Sequence, residues 1–154
     1  MFNLFRKKQL TLVQHQYKNL HISLPSNWEY ELEEGDLEAC FDPKSQSTLR
    51  LHIIKAIAPK GETPEESMKS LTADQPYVTT LKGYLLTNRT YLESVDGGKN
   101  ITLVTWKLIN YVGDEKLIAV LTYTVLTEEK DSAIEKEIFS LIESSLQNAE
   151  LLSK

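Results

Sequence analysis

Six acidic residues crowd one short segment of the chain directly after a tryptophan, Trp28. They form what we call the acidic ribbon: Glu29, Glu31, Glu33, Glu34, Asp36 and Glu38. Carboxylates gathered on one ribbon raise the local negative potential, which attracts a basic protein and speeds its encounter. The ribbon is therefore either a solvated surface or a docking surface for a basic partner. Paired carboxylates for glycoside hydrolysis need a cleft and a matched spacing, and the segment indicates neither. Trp28 is interpreted as a core anchor or, if exposed, as a contact hot spot.

Nucleophilic or metal-dependent chemistry would fall to the one cysteine and the three histidines: Cys40, His15, His21 and His52. The histidines are too scattered for a zinc motif such as HExxH, so we predict no metal site. Cys40 could be paired by the fold with His21 or His52 as a nucleophilic couple. Nothing nearby in the sequence would lower the thiol pKa, however, so its predicted role is that of a small buried hydrophobe. No GxSxG elbow or Walker loop occurs, and we predict no catalytic residue, no cofactor and no enzymatic activity.

Composition places the 154 residues in one ordinary globular domain, with 41% hydrophobic and 25% charged residues. Residues 1–9 are predicted to be a tail. The formal net charge of -5 gives no electrostatic basis for binding nucleic acid or anionic lipid. No window approaches the ~20 apolar residues of a membrane span. The basic cluster at Arg6, Lys7 and Lys8 is not followed by the apolar run of a signal peptide, so for a complete chain we expect a cytoplasmic location.

Residues 101–126 organise the rest of the predicted fold, because they form two long strands joined by a turn at Gly113 and Asp114. Both faces of each strand carry apolar side chains, which is typical of central strands covered on both sides. Earlier alternating segments predict further strands, linked too closely for parallel crossovers. A strand over 86–95 is expected to pair with residue 101 onward through a loop containing Gly97 and Gly98. The remaining predicted strands are 12–17, 20–24, 28–32, 37–41 and 48–56.

Two helices are expected to cover this sheet. The first is predicted to start at Thr63 and Pro64, to end near residue 73, and to bury Met68 and Leu71. The second starts at Asp131 or Ser132, and its predicted apolar stripe consists of Ile134, Ile138, Leu141, Ile142 and Ser145. We interpret the carboxylates at its start as a solvated group that complements the helix dipole, not as a metal cluster: Glu128, Glu129, Asp131, Glu135 and Glu137.

A short sequence motif, Leu24-Pro25-Ser26-Asn27-Trp28, lies at the end of an early predicted strand. Together with the later order of a strand leading into the Thr63 helix, an antiparallel sheet and a closing helix, it resembles the PsbP-like and DcrB-like superfamily over about residues 14 to 150. The resemblance implies an α+β sandwich of an antiparallel sheet flanked by helices. It also implies action by binding, as in photosystem assembly, small GTPase binding and chaperoning of secreted effectors. The superfamily shares no catalytic residue that could be carried over. Exported DcrB-like lipoproteins carry a modified cysteine near their start, whereas Cys40 lies inside the predicted fold.

Three functional hypotheses follow from these observations. The leading one is a non-enzymatic accessory module, chaperone-like in character, that binds another protein through the acidic ribbon and an exposed sheet edge. The second is a bacterial immunity protein that neutralises a toxin, for which surplus acidity would suit a basic nuclease. The third is a hydrolase that uses Cys40 with a histidine.

Overall fold

The structure is a computed structural model that describes residues 10–57, 60–72 and 75–153. The predicted tail, residues 1–9, lies outside the described residues. For Met68 and Leu71, which we predicted to be buried, the structure describes the backbone and not the side chains. The described residues form two α-helices, α1 (Pro64–Thr72) and α2 (Ala133–Asn148), with a 3-10 turn over Thr127–Glu129. Neither helix is long and apolar enough to cross a membrane. The strands are β1 (Leu12–Tyr17), β2 (Leu20–Pro25), β3 (Glu29–Glu33), β4 (Leu37–Phe41), β5 (Thr48–Ile57), β6 (Tyr77–Thr79), β7 (Leu85–Thr87), β8 (Thr90–Asp96), β9 (Lys99–Val112), β10 (Glu115–Leu126) and β11 (Glu150–Leu151).

All described strand pairs are antiparallel. The large sheet has the order β3-β4-β5-β10-β9-β7-β6, with β8 also paired to β9, and the small sheet has the order β1-β2-β11. The two longest strands, β9 and β10, form the centre of the large sheet, and Leu121 pairs with Trp106 in their register. Gly113, at φ +67°, supplies the left-handed backbone that their two-residue turn requires. The predicted central hairpin is therefore confirmed.

The hydrophobic core lies on one face of the large sheet. Leu51, Trp106 and Leu121 point into it, and α2 and the small sheet cover it from the other side. The opposite face is less fully covered than we expected. Among the described residues it holds a small buried hydrophobic cluster around Ile109 and Ile118, while several other positions along it are half exposed. Polar side chains such as those of Arg50 and His52 occupy this second face, so coverage by a second complete layer is not needed there.

Helix α2 buries Ile138, Ile142 and Ser145 of the predicted stripe, but its buried face is centred differently from the predicted one. Ser132 caps the helix as expected, because its side chain accepts a hydrogen bond from the Glu135 backbone N–H at 3.2 Å. Ile134, however, is 72% exposed, whereas Glu135 is only 3% exposed. The buried stripe is Glu135, Ile138, Phe139, Ile142, Ser145 and Leu146. The interpretation of Glu135 as a solvated residue is therefore wrong, while Glu128, Glu129 and Asp131 are not buried.

The strand predicted over 86–95 is interrupted. Leu86 pairs with Leu108 and Thr90 pairs with Thr105, so three residues on this side oppose two on β9. This is a β-bulge, and the Thr87 hydroxyl accepts the Lys107 backbone N–H at 2.9 Å in place of a backbone partner. The bulge separates β7 from β8 and sets Arg89 beside α2.

Candidate functional site

Strand β3, which carries half of the acidic ribbon, is the terminal strand of the described large sheet. It pairs with β4 in the register Glu29 with Phe41 and Glu31 with Ala39. Glu29, Glu31 and Glu34 are all exposed. Leu32, on the other face of the strand, is also 69% exposed. The predicted exposed sheet edge is therefore present, and it presents acidic side chains on one face and an apolar side chain on the other.

Three of the six ribbon carboxylates, those of Glu33, Asp36 and Glu38, are paired with side chains from elsewhere in the chain. Arg50 donates to both carboxylate oxygens of Glu33, at 2.7 and 3.3 Å. Lys18 forms an ion pair with Asp36, and the His15 ring is hydrogen-bonded to Glu38. These internal pairs reduce the negative potential that the predicted ribbon could offer. Among the described residues, the ribbon's unpaired charge is left to Glu29, Glu31 and Glu34.

A pocket of about 320 Å³ opens where β3 begins. Trp28, immediately before the strand, is buried and forms one wall, which agrees with its interpretation as a core anchor. Apolar side chains dominate the walls and polar ones converge at one side, which is the usual composition of a binding site. Its principal lining residues are Leu10, Trp28, Asp42, Ser47, Tyr123, Ile134, Glu135 and Ile138.

A buried carboxylate, that of Glu135, lines this pocket. The Tyr123 hydroxyl donates to Glu135 Oε1 at 2.8 Å, and the Ser47 hydroxyl donates to Oε2. Burial and the neighbouring Glu135 charge raise the pKa of Tyr123, which therefore stays a neutral donor. No Lys or Arg of the described chain pairs with this carboxylate, and it relies on the two hydroxyls and the start of α2. Its helical spacing to Ile138, Phe139 and Ile142 was the sequence signal that could have identified it.

The pocket's chemistry suits a long basic side chain. Trp28, Ile134 and Ile138 offer apolar surface to an aliphatic stem, and Glu135 and Asp42 offer carboxylate oxygens to a cationic head. Lys and Arg have this composition, because both carry a terminal cation on a methylene chain. The arrangement can thus bind a cation by desolvated ion pairing, which is stronger than pairing at an exposed surface.

A second polar cluster surrounds Cys40, on the core side of β4. Cys40 is fully buried, and its Sγ lies 3.8 Å from Glu38 Oε1. Glu38 is in turn hydrogen-bonded to His15, whose ring stacks on Tyr30 with centroids 3.8 Å apart. Burial, and then the Glu38 charge, raises the pKa of the Cys40 thiol. The thiol is therefore protonated at neutral pH, unlike an activated catalytic cysteine.

Neither His21 nor His52, the histidines considered as partners of Cys40 in the hydrolase alternative, points toward it. His21 alternates with the buried Leu20 and Ile22 on β2, so it points away from the core. His52 alternates with Leu51 on β5 and lies on the opposite face of the large sheet from Cys40. His15 is the histidine brought to this cluster, because its position on β1 faces inward with its register partner Ile22.

A third polar cluster links α2 to the large sheet. Arg89 donates to both Glu143 oxygens, at 2.7 and 2.6 Å, and the Trp106 indole N–H donates to Glu143 Oε2 at 2.9 Å. Burial opposes ionisation of this carboxyl, yet the hydrogen bonds from Arg89 and Trp106 lower the pKa of Glu143. The bulge between β7 and β8 places Arg89 for this contact. We interpret the cluster as structural.

No protein-family model matches the chain, and no curated protein matches it in sequence. Several solved structures, however, superpose on it. One from Bacteroides thetaiotaomicron superposes with a TM-score of 0.58 at 15% identity over 88% of this chain, which spans only 46% of that protein. LpqN, involved in cell envelope biogenesis of Mycobacterium tuberculosis, gives a TM-score of 0.57 at 15% identity and covers 88% of both chains. The Saccharomyces cerevisiae Ran-binding protein Mog1p gives 0.54 at 9% identity, over 93% of this chain and 96% of its own.

Similarity at these identities establishes the fold. The α+β architecture expected from the sequence, an antiparallel sheet carrying helices, is confirmed and is shared with these solved structures. The chain therefore has the fold of LpqN and Mog1p. Two of its regions are chemically distinctive: the β3 edge with its pocket, and the Cys40 cluster.

Proposed function

We propose that this chain is a non-enzymatic module that binds a basic, extended segment of a partner protein along the free edge of β3. The observation that carries the proposal is the edge itself, which presents unpaired carboxylates and runs into a pocket lined by a buried carboxylate. The same surface would serve an accessory or chaperone-like protein. The immunity hypothesis stays a prediction, and it would require this acidic surface to face a basic toxin.

Strand addition explains why the edge has this composition. A peptide that pairs with β3 gains backbone hydrogen bonds, and its alternate side chains fall on opposite faces of the sheet. Basic residues on one face would then oppose Glu29 and Glu31. An apolar residue on the other face would cover Leu32, which is otherwise exposed. Opposite charges paired across strands each contribute roughly 0.2–1 kcal/mol, so several are needed for selectivity.

The pocket supplies the anchor for the segment. Trp28 precedes Glu29 directly, so a strand lying along β3 reaches the pocket at the Glu29 end. A Lys or Arg side chain of the partner would enter there and pair with Glu135. This pairing gives a buried anion the cation that the described chain does not supply, which makes the contact a strong one. The description of Mog1p as a Ran-binding protein supports protein recognition as a use of this fold.

The test compares charge reversal at two places. In the first variant Glu29, Glu31 and Glu34 become Lys; in the matched control Glu128, Glu129 and Asp131 become Lys. Each changes the net charge by the same amount at three positions that are not buried. Partners are captured from native lysate, identified by mass spectrometry, and then titrated as purified proteins. We expect the β3 variant to lose the partner and the control to retain it. Equal binding by both variants, or equal loss, would reject the proposed surface.

A further inference from the structure

Three side chains with metal-binding atoms converge between the two sheets, in the cluster around Cys40. His15 belongs to β1 of the small sheet, while Glu38 and Cys40 belong to β4 of the large sheet. One nitrogen, one oxygen and one sulfur from these residues all lie within 4.8 Å of one another. Glu38 and Cys40 are two positions apart on one strand, so both project to the same face. The sequence could not indicate this group, because His15 is joined to it only by packing of the two sheets.

The separations are close to those that a tetrahedral ion requires. Bonds of ≈ 2.0–2.2 Å to nitrogen or oxygen and ≈ 2.3 Å to sulfur place neighbouring ligand atoms about 3.3 to 3.6 Å apart. Cys40 Sγ and Glu38 Oε1 are 3.8 Å apart. All three ligand atoms lie within 4.8 Å of one another, so shifts of about 1 Å would bring them to these separations. Nitrogen, carboxylate oxygen and thiolate together form a donor set typical of zinc.

The surroundings also fit a metal centre. Cys40 is fully buried, but the His15 and Glu38 side chains are 15% and 13% exposed, so an ion can approach from their side. Tyr30 is the cross-strand neighbour of Cys40 and stacks on His15. Its hydroxyl is buried and lacks a hydrogen-bond partner in the part of the chain that the structure describes. Such a hydroxyl is suited to support a ligand atom from outside the coordination shell.

We propose that His15, Glu38 and Cys40 bind a zinc ion, with water as the fourth ligand. The hydrogen bond between His15 and Glu38 is replaced by a bond from each residue to the metal. The Cys40 thiol proton passes to solvent as the sulfur–zinc bond forms, and no oxidation or reduction takes place. The ion joins the small sheet to β4 and so ties together two elements of the core. The proposal does not depend on partner binding at the β3 edge.

The test uses reduced, untagged protein titrated with Co²⁺, followed by displacement with Zn²⁺. We expect one ion per chain and a near-ultraviolet sulfur-to-cobalt charge-transfer band that Zn²⁺ abolishes. Cys40→Ser should remove the band, and His15→Gln and Glu38→Gln should each weaken binding at least about tenfold, since even outer-shell changes cost 10–100-fold. His52→Gln, on the opposite face of the sheet, is the matched control and should bind like the wild type.

Circular dichroism and melting without metal establish that each variant is folded. Zn²⁺ should raise the melting temperature of the wild type and of His52→Gln, but not that of Cys40→Ser. Absence of the sulfur band in the wild type would overturn the proposal, as would equal affinity in Cys40→Ser. Should Cys40→Ser fail to fold, the wild-type band and its loss on Zn²⁺ addition decide the question alone.

Discussion

Removal of the Tyr123 hydroxyl is the most informative perturbation of the pocket. Tyr123 and Glu135 are both buried, and the hydroxyl donates to the carboxylate at 2.8 Å. Tyr123→Phe removes the donor and leaves a carboxylate oxygen desolvated. Hydrogen bonds to charged groups contribute roughly 1.5–3 kcal/mol, so we expect the free energy of unfolding to fall by about 2 kcal/mol at neutral pH. For a chain of this size the melting temperature should fall by about 4–8 °C.

A double-mutant cycle with Glu135→Gln separates the charge from the packing. Between neutral partners a hydrogen bond contributes only about 0.5–1.5 kcal/mol, so Tyr123→Phe should cost about 1 kcal/mol less when it is combined with Glu135→Gln. Urea unfolding at neutral pH measures each corner of the cycle. Tyr77→Phe, at an exposed tyrosine, is the control and should change stability by less than about 0.5 kcal/mol. An equal cost of Tyr123→Phe in both backgrounds would refute a charge-assisted hydrogen bond between Tyr123 and Glu135.

Two other predictions concern α2. The pKa of Glu143 is lowered in the folded chain, so its pairing with Arg89 stabilises fully above the ordinary value of 4.5 and loses that contribution as pH falls through the folded pKa. The urea concentration at the midpoint of unfolding should therefore fall less steeply with decreasing pH for Glu143→Gln than for the wild type. The same dependence on pH in both proteins would contradict this. Ile142→Ala should cost about 2–5 kcal/mol because the side chain is fully buried, whereas Ile134→Ala should change stability by less than about 0.5 kcal/mol. Similar losses of stability for the two variants, measured by thermal or urea unfolding, would contradict the observed burial of Ile142 and exposure of Ile134.

Alternation along strands was predictable because it is local. The β9–β10 hairpin and the bounds of β1 and β4 follow from period-two patterns and from turn residues, and the structure has them. The bulge between β7 and β8 was not predictable in this way. It depends on Thr87 replacing a backbone partner of Lys107 and on Arg89 finding Glu143, and both contacts join residues distant in sequence.

The buried face of α2 shows a second reason why part of the fold could not be predicted from the sequence. Ile134 and Glu135 are adjacent, and helical spacing fits either of them to Ile138 and Ile142. Hydrophobicity favours Ile134, but Tyr123 and Ser47 provide donors for Glu135, so the carboxylate is buried and the isoleucine is exposed. A polar side chain is buried where other elements supply its hydrogen-bond partners. The sequence of the helix alone does not show those partners.

The acidic ribbon was visible in the sequence, but its effective charge was not. Arg50 and Lys18 form ion pairs with two of its carboxylates and His15 is hydrogen-bonded to a third, and each of these partners comes from a different strand or turn. Only Glu29, Glu31 and Glu34 of the described ribbon remain for a partner. The same sheet packing that brings His15 to Glu38 also brings it close to Cys40, a juxtaposition that the sequence does not show.

Amide hydrogen exchange in the presence of the captured partner tests strand addition at β3 most directly. Strand β8 is the comparison, since it pairs with β9 and is exposed along its whole length. We expect partner binding to slow exchange in β3 and leave β8 unchanged, and Glu135→Gln to weaken the protection. Protection at β8 with unchanged exchange in β3 would contradict the central claim.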